Sequence, residues 1–157
     1  MKSMTTSRPT WQEYFFQYAQ LAATRSTCLA FPVGAVIVRE NQVLSTGYNG
    51  SPPGSLHCTD LGYCSDGAND CANSALPSRA IHAEANAIAQ CAKNGVSTNQ
   101  AQIYVTVEPC ISCLKLIIAS GIKSVYYFKD FNSGDKIKVR NMLLEENFIE
   151  FIKLEEF

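Results

Sequence analysis

Two short stretches of this chain carry residue types able to do chemistry together: His82-Ala83-Glu84, and Pro109-Cys110-Ile111-Ser112-Cys113. His82, Cys110 and Cys113 offer one imidazole and two thiolates, enough to hold a tetrahedral Zn²⁺ with one position open. An open position marks a catalytic rather than a structural zinc site. Water bound there has its pKa lowered from 15.7 to roughly 7, so hydroxide is accessible at neutral pH. Glu84 lies next but one to a ligand and need not bind the metal itself. It is placed to take the water's proton and hand it to a nitrogen leaving group, as a general acid/base does. C-x-x-C alone also serves structural metals and redox pairs. Its combination with His-x-Glu, each part at the start of a helical pattern, favours the catalytic arrangement.

The elements that must position these residues follow from periodicity. Trp11, Tyr14, Phe15, Tyr18, Leu21 and Ala22 recur at helical spacing after Pro9-Thr10, which predicts an amphipathic first helix whose aromatic stripe packs into the core, with an oligomer contact as the alternative. Val33–Val38 reads as a buried strand, and a turn at Glu40-Asn41 leads back through Val43–Tyr48 as an antiparallel hairpin. From Asn49 to about Ser78 the sequence is rich in Gly, Pro, Ser, Asp and Cys and breaks every period. An insert of roughly 30 residues without periodicity is usually functional or pinned by something. A helix from about Ile81 to Lys93, a strand at Ile103–Thr106, a helix from Cys110 to Ala119 and a strand at Ser124–Phe128 follow. A helix from about Asp135 to Glu146 and a strand near Phe148–Ile152 complete the order. The order calls for an α/β domain with a mixed five-stranded sheet, helices on both faces and later strands largely parallel.

That architecture places His82 and the Cys110/Cys113 pair at the first turns of two helices, with the i,i+3 spacing directing both sulfurs to one face. Helix N-termini carry partial positive charge and favour thiolate over thiol. Two such starts at one sheet edge build a pocket where strands end. Cys91 shares a helical face with Ala87 and Ile88 and reads as buried packing.

Bulk properties narrow the partners. The 157 residues are read as one domain, with 46% hydrophobic and 17% charged residues, the profile of an ordinary globule. Net charge is −1, from 13 basic and 14 acidic residues, and no basic cluster marks a surface for tRNA or long DNA. There are seven cysteines, an odd number, and the N-terminus lacks the apolar core of a secretion signal. Both point to a reducing, cytoplasmic setting in which thiols serve metals. No apolar run reaches the ~20 residues of a membrane span.

The H-x-E…P-C-x-x-C pattern is the signature of zinc nucleobase deaminases. Around it stand Arg25-Ser26-Thr27-Cys28, Val33-Gly34-Ala35-Val36-Ile37, Gly47-Tyr48-Asn49-Gly50-Ser51-Pro52, Ile81–Ile88 and Tyr104–Cys113. With these landmarks the chain resembles the cytidine deaminase superfamily from about Arg25 to Phe128. The G-Y-N-G-x-P turn followed by a Cys-rich insert is similar to the deoxycytidylate (dCMP) deaminase branch. The resemblance implies a three-layer α-β-α cytidine-deaminase-like fold and hydrolysis of dCMP to dUMP and ammonia, feeding dTMP synthesis. It implies that Asn49 bonds the sugar, that Arg25 supplies a cation for the 5′-phosphate, and that the backbone near Ala83, Thr106 and Val107 lines the base pocket. A turn-forming Asn and a solvated Arg are the plain alternatives for Asn49 and Arg25.

In the same branch Cys28, Cys58, Cys64 and Cys71, with His57 adjacent, match positions that hold a second, structural zinc in some members. Free thiols in a loop are the alternative. The resemblance further implies a homohexamer activated by dCTP and inhibited by dTTP, with Mg²⁺ on the effector phosphates and the effector near Tyr48 and Gly50. Competing readings are a deaminase of cytidine, tRNA adenosine or a riboflavin precursor, and a non-catalytic zinc protein that binds nucleotides.

Overall fold

A computed structural model describes residues 7–29, 31–62 and 78–155. Helix α1 (Trp11–Ala23) starts at a capping box: the Thr10 hydroxyl accepts from the Glu13 N–H, and the Glu13 carboxylate accepts from the Thr10 N–H. Strands β1 (Gly34–Arg39) and β2 (Gln42–Tyr48) form the expected hairpin. Its turn residues Glu40 and Asn41 take φ of 52° and 58°, the left-handed pair that suits the twist of a tight hairpin. There follow α2 (Cys58–Leu61), α3 (Ala83–Lys93), β3 (Gln102–Val107), α4 (Ile111–Ala119), β4 (Ser124–Lys129), α5 (Asp135–Glu146) and β5 (Glu150–Lys153).

The sheet runs β2-β1-β3-β4-β5. β1 is antiparallel to both β2 and β3, whereas β3, β4 and β5 are parallel to one another. The mixed five-stranded sheet is therefore as the element order requires. Strand alternation sorts its side chains into two cores. Val36, Val38, Tyr104 and Tyr126 face α1, meeting Phe15, Phe16 and Ala19. Ala35, Ile37, Ile103, Val105 and Val125 face the other way, against Ala83, Ala87 and Cys91 of α3 and Ile117 of α4, with Leu144 of α5 packed alongside. The result is three layers, with one helix on one face and three on the other.

Two glycines set how closely helices approach. A Cβ on Gly47 of β2 would stand 2.3 Å from the Ala83 carbonyl oxygen and 2.6 Å from the Ala87 nitrogen, so only glycine lets α3 lie directly on β2. Gly34 does the same for α1, where a Cβ would stand 1.9 Å from the Ala19 carbonyl oxygen.

The structure departs from expectation in two places. The short helix α2 lies in the stretch that lacks periodicity, closed by Gly62 at φ 78°. And the α1 aromatic stripe is wider than its contact with the sheet: Phe15 and Phe16 are buried, but Trp11 is 50% and Tyr14 38% exposed. Those two rings pack edge-on against each other, centroids 5.8 Å apart.

Candidate metal centre and active site

The site grows from two helix starts. His82 is the N-cap of α3 and Cys110 the N-cap of α4, both with extended backbone, and Cys113 sits in the first turn of α4. The α3 start is fixed from three sides. Gly50 and Ile81 exchange backbone hydrogen bonds, the Asn86 amide donates to the Tyr48 carbonyl at 2.8 Å, and the Ser45 hydroxyl donates to the Ala87 carbonyl at 2.8 Å. The α4 start is fixed by Pro109, fully buried at the end of β3.

These constraints bring His82 Nδ1 to 3.3 Å from Cys113 Sγ and 3.6 Å from Cys110 Sγ. The three donor atoms all lie within 4.8 Å of one another, and no other group of three such donors converges among the described residues. A tetrahedral zinc with bonds of about 2.0–2.3 Å sets its ligands roughly 3.5–3.8 Å apart, so the donor set fits that ion in chemistry and in spacing.

Glu84 is buried beside the donors, at 4% exposure. Burial pushes its carboxyl up to about 7, against the opposing pull of its backbone hydrogen bonds and of His82. Hydrogen bonds from Cys113 and His82 overcome burial and bring the Cys110 thiol down to about 4, whereas the hydrogen bond with Cys110 and burial raise Cys113. The hydrogen bond with Cys110 also raises His82. His82, Cys110 and Glu84 open into one cavity of about 260 Å³, walled also by Phe31, Asn49, Val107 and Phe131. The two phenylalanines stay about half exposed, 49% and 47%, and offer flat apolar walls to whatever enters.

Of the other predicted site residues, Asn49, Ala83 and Val107 line the cavity. Much of the Asn49 side chain is already engaged. Its Oδ1 accepts from the Val33 N–H and the Ser26 hydroxyl, and its Nδ2 donates to the Phe31 carbonyl, so it braces the segment leading into β1. Arg25 is exposed just past α1 and does not reach the cavity wall. Thr106 does not reach it either. Strand alternation turns its side chain to the face opposite Val107, and its hydroxyl accepts from the Gly34 N–H at 3.1 Å. Tyr48 and Gly50 stand together at the end of β2, where a Cβ on Gly50 would come 3.3 Å from the tyrosine ring.

Cys28 lines the cavity, and its charge, after burial, raises the Cys58 thiol. The His57 Nδ1 is buried with no hydrogen-bond partner. Cys28, His57 and Cys58 do not converge as a metal group by themselves. Cys64 and Cys71, the other two suggested ligands, lie outside the described residues. Cys91 is buried as expected, its thiol bonded to the Ser45 hydroxyl at 3.2 Å.

A group that the sequence did not flag sits behind the metal turn. The Glu108 carboxylate, 2% exposed, accepts from the N–H groups of Phe131 at 2.8 Å and Asn132 at 3.0 Å, and from the Arg140 guanidinium at 2.6 Å. Burial pushes this carboxyl up, but the hydrogen bonds from Phe131, Asn132 and Arg140 outweigh it and hold the group below the usual range. Asn132 in turn donates its side-chain N–H to the Pro109 carbonyl at 2.9 Å. The only sequence signal was an acid before Pro109, and nothing local pairs it with residues 23 to 32 positions on.

Three convergent N/S donors with a buried carboxylate beside them, on a three-layer α/β frame, define the class of a mononuclear zinc site open to ligands. Residues 9–129 match the family described as the cytidine and deoxycytidylate deaminase zinc-binding region, and the chain belongs to that family. It is 49% identical over 126 residues to ComE operon protein 2 of Bacillus subtilis, covering 80% of this chain and 63% of that protein. It is 44% identical over 128 residues to the deoxycytidylate deaminase of Mycobacterium phage D29, covering 79% of this chain and 98% of that one. The crystal structure of the dCMP deaminase from cyanophage S-TIM5 in complex with dCMP and dUMP superposes with a TM-score of 0.71 at 29% identity, covering 94% of this chain and 99% of that one. The chain thus spans nearly the whole phage relative but under two thirds of the Bacillus one.

Proposed function

We propose that this chain is a zinc-dependent hydrolase that converts dCMP and water to dUMP and ammonia. The observation that carries the proposal is the buried Glu84 lining the same cavity as His82 and Cys110, whose donor atoms converge with that of Cys113. The dCMP substrate is supported by the phage deoxycytidylate deaminase that this chain spans almost end to end, and by the dCMP and dUMP complex of its structural relative.

His82, Cys110 and Cys113 would hold zinc, whose Lewis acidity would make a water nucleophilic near neutral pH. Everything else falls to the chain's own residues. Glu84 takes a proton from the attacking water and delivers it to N3 of the cytosine as the bond from the water oxygen to C4 forms. It then carries the second proton to the exocyclic amine, so the C4–N bond breaks with ammonia as leaving group and C4 keeps the oxygen as a carbonyl. Phe31, Val107 and Phe131 exclude water from the flat ring, while Ala83 and Asn49 line the wall beside it. Arg25 and Thr106 are left out of the substrate contacts, because neither reaches the cavity.

The regulatory part extends the same proposal and is supported by the resemblance alone. It comprises a cytoplasmic homohexamer, activation by dCTP with Mg²⁺, inhibition by dTTP near Tyr48 and Gly50, and a second zinc. No described helix is long and apolar enough to cross a membrane. A substrate panel of dCMP, CMP, deoxycytidine and dCTP, with ammonia as the readout, tests the substrate. Preferential turnover of dCMP is expected, and turnover of another amine with dCMP untouched overturns it. Repeating the panel with dCTP–Mg²⁺ and dTTP tests regulation, and rates that ignore both remove it.

A further inference from the structure

Part of the cavity wall is built by the helix starts that carry His82 and Cys110, and another part by Phe131, on the connection between β4 and α5, which no regular hydrogen-bond ladder supports. Its ring is 47% exposed and still lines the cavity, so its position must be held from behind through the backbone.

Glu108, which itself borders the cavity, takes that backbone. Its side chain has no exposure, and its two oxygens are divided by task. Oε2 takes the N–H groups of Phe131 and Asn132, and Oε1 takes Arg140. Its own N–H donates to the Lys129 carbonyl at 2.7 Å, so the residue is tied to β4 at the point where the strand gives way to the Phe131 connection. Arg140 is seated independently, its guanidinium 5.4 Å from the centre of the Phe151 ring on β5. Asn132 closes the loop back onto Pro109, the residue before the Cys110 ligand. Metal turn, aromatic wall and α5 are joined at one buried carboxylate.

We infer that Glu108 is a positioning residue for substrate: its carboxylate, anchored by Arg140, holds the Phe131–Asn132 segment against the Pro109–Cys110 turn and so sets the width of the slot in which a planar heterocycle lies. This rests on the deaminase reading for the identity of the substrate, but not for the clamp itself. Burying a carboxylate is unfavourable unless its acceptor sites are filled. Here they are filled by Phe131, which lines the cavity, by its neighbour Asn132 and by Arg140 of α5, so the carboxylate ties part of the cavity wall to α5. A wall that drifts weakens binding of a flat ring more than it alters proton transfer at Glu84 on the other side.

The test uses zinc-loaded protein carrying Arg140→Ala or Arg140→Lys, with Glu108→Gln as the direct variant. Two readouts are taken: amide hydrogen exchange at Phe131 and Asn132, and KM and kcat for dCMP with zinc content measured on the same samples. In Arg140→Ala the two amides are expected to exchange about tenfold faster and KM to rise about tenfold, the scale of a lost charge-assisted hydrogen bond, with zinc content unchanged and kcat less affected than KM. Arg140→Lys, which keeps the charge and one donor, is expected to recover most of both. Unchanged exchange at Phe131 and Asn132 overturns the clamp. Faster exchange with an unchanged KM overturns its effect on substrate. Loss of zinc with unaltered exchange also overturns it, since the network then serves the metal turn alone. If the unmodified protein leaves dCMP untouched, the substrate reading fails while the exchange comparison still decides the clamp. Should Glu108→Gln not fold, the two Arg140 variants decide it between them.

Discussion

Gly47→Ala is the most informative single change outside the site, because one methyl group connects packing to chemistry. The added Cβ would lie 2.3 Å from the carbonyl oxygen of Ala83, the residue between His82 and Glu84, and 2.6 Å from the Ala87 nitrogen. Ordinary contact begins at 3.4 Å, so α3 must back away from β2 by about 1 Å. Both obstructing atoms are backbone, which leaves no side-chain rotation to relieve the clash. Overpacking of this kind costs about 1–3 kcal/mol, and a reacting group displaced by about 1 Å loses on the order of 10²-fold in rate. Urea denaturation measures the first effect, and turnover of dCMP per folded, zinc-loaded chain the second. Gly34→Ala serves as the comparison: its clash at 1.9 Å is with Ala19 of α1, which carries none of the site. It is expected to lower stability at least as much and activity far less. A Gly47→Ala protein with wild-type turnover, or equal activity losses in both variants, would refute the argument that this approach sets the position of Glu84.

Three further outcomes follow from the same geometry. Glu84→Gln keeps size and burial but cannot carry a proton, so turnover is expected to fall by about 10²–10⁴-fold with zinc content at the wild-type level; substantial residual activity contradicts its role. Cys113→Ser removes a ligand from the fixed turn of α4, so zinc content falls and Tm no longer responds to a chelator, whereas wild-type Tm drops when zinc is stripped; a chelator-sensitive Tm in the variant contradicts the ligand assignment. Ile117→Ala empties a fully buried position between α4 and the sheet and is expected to cost about 2–5 kcal/mol in denaturant unfolding; a loss well under 1 kcal/mol would show that this interface does not hold α4.

The parts of this fold legible in the sequence were those governed by local spacing. His82, Cys110 and Cys113 could be gathered in advance because two helix starts and an i,i+3 interval leave little freedom. Residues Val36 and Ile37 fall on opposite faces of the sheet by alternation alone. The helix α2 escaped notice because four residues are too few to show a 3.6-residue period. Trp11 and Tyr14 show the opposite failure. A periodic stripe reveals a helix and its apolar side, but the width of the surface it meets is a property of the sheet, and here the stripe is the wider of the two. The resemblance brings Arg25 and the backbone near Thr106 to the substrate, and neither periodicity nor charge shows that Arg25 stands outside the cavity lining or that the Thr106 hydroxyl turns toward Gly34. Glu108 is the plainest case. Its partners Phe131, Asn132 and Arg140 are distant in sequence and mostly polar or backbone, so no pattern in the chain announces a contact that exists only once β3, β4 and α5 are assembled.

The proposed deamination of dCMP rests on three zinc donors and one carboxylate. Conversion of dCMP to dUMP with matching ammonia release by zinc-loaded protein, followed through chelation and re-addition of zinc, tests it. One ammonia per dUMP, loss of turnover when zinc is removed and recovery when it is restored are expected. Turnover that persists through complete removal of zinc, or zinc-loaded and folded protein that leaves dCMP unchanged, would contradict it.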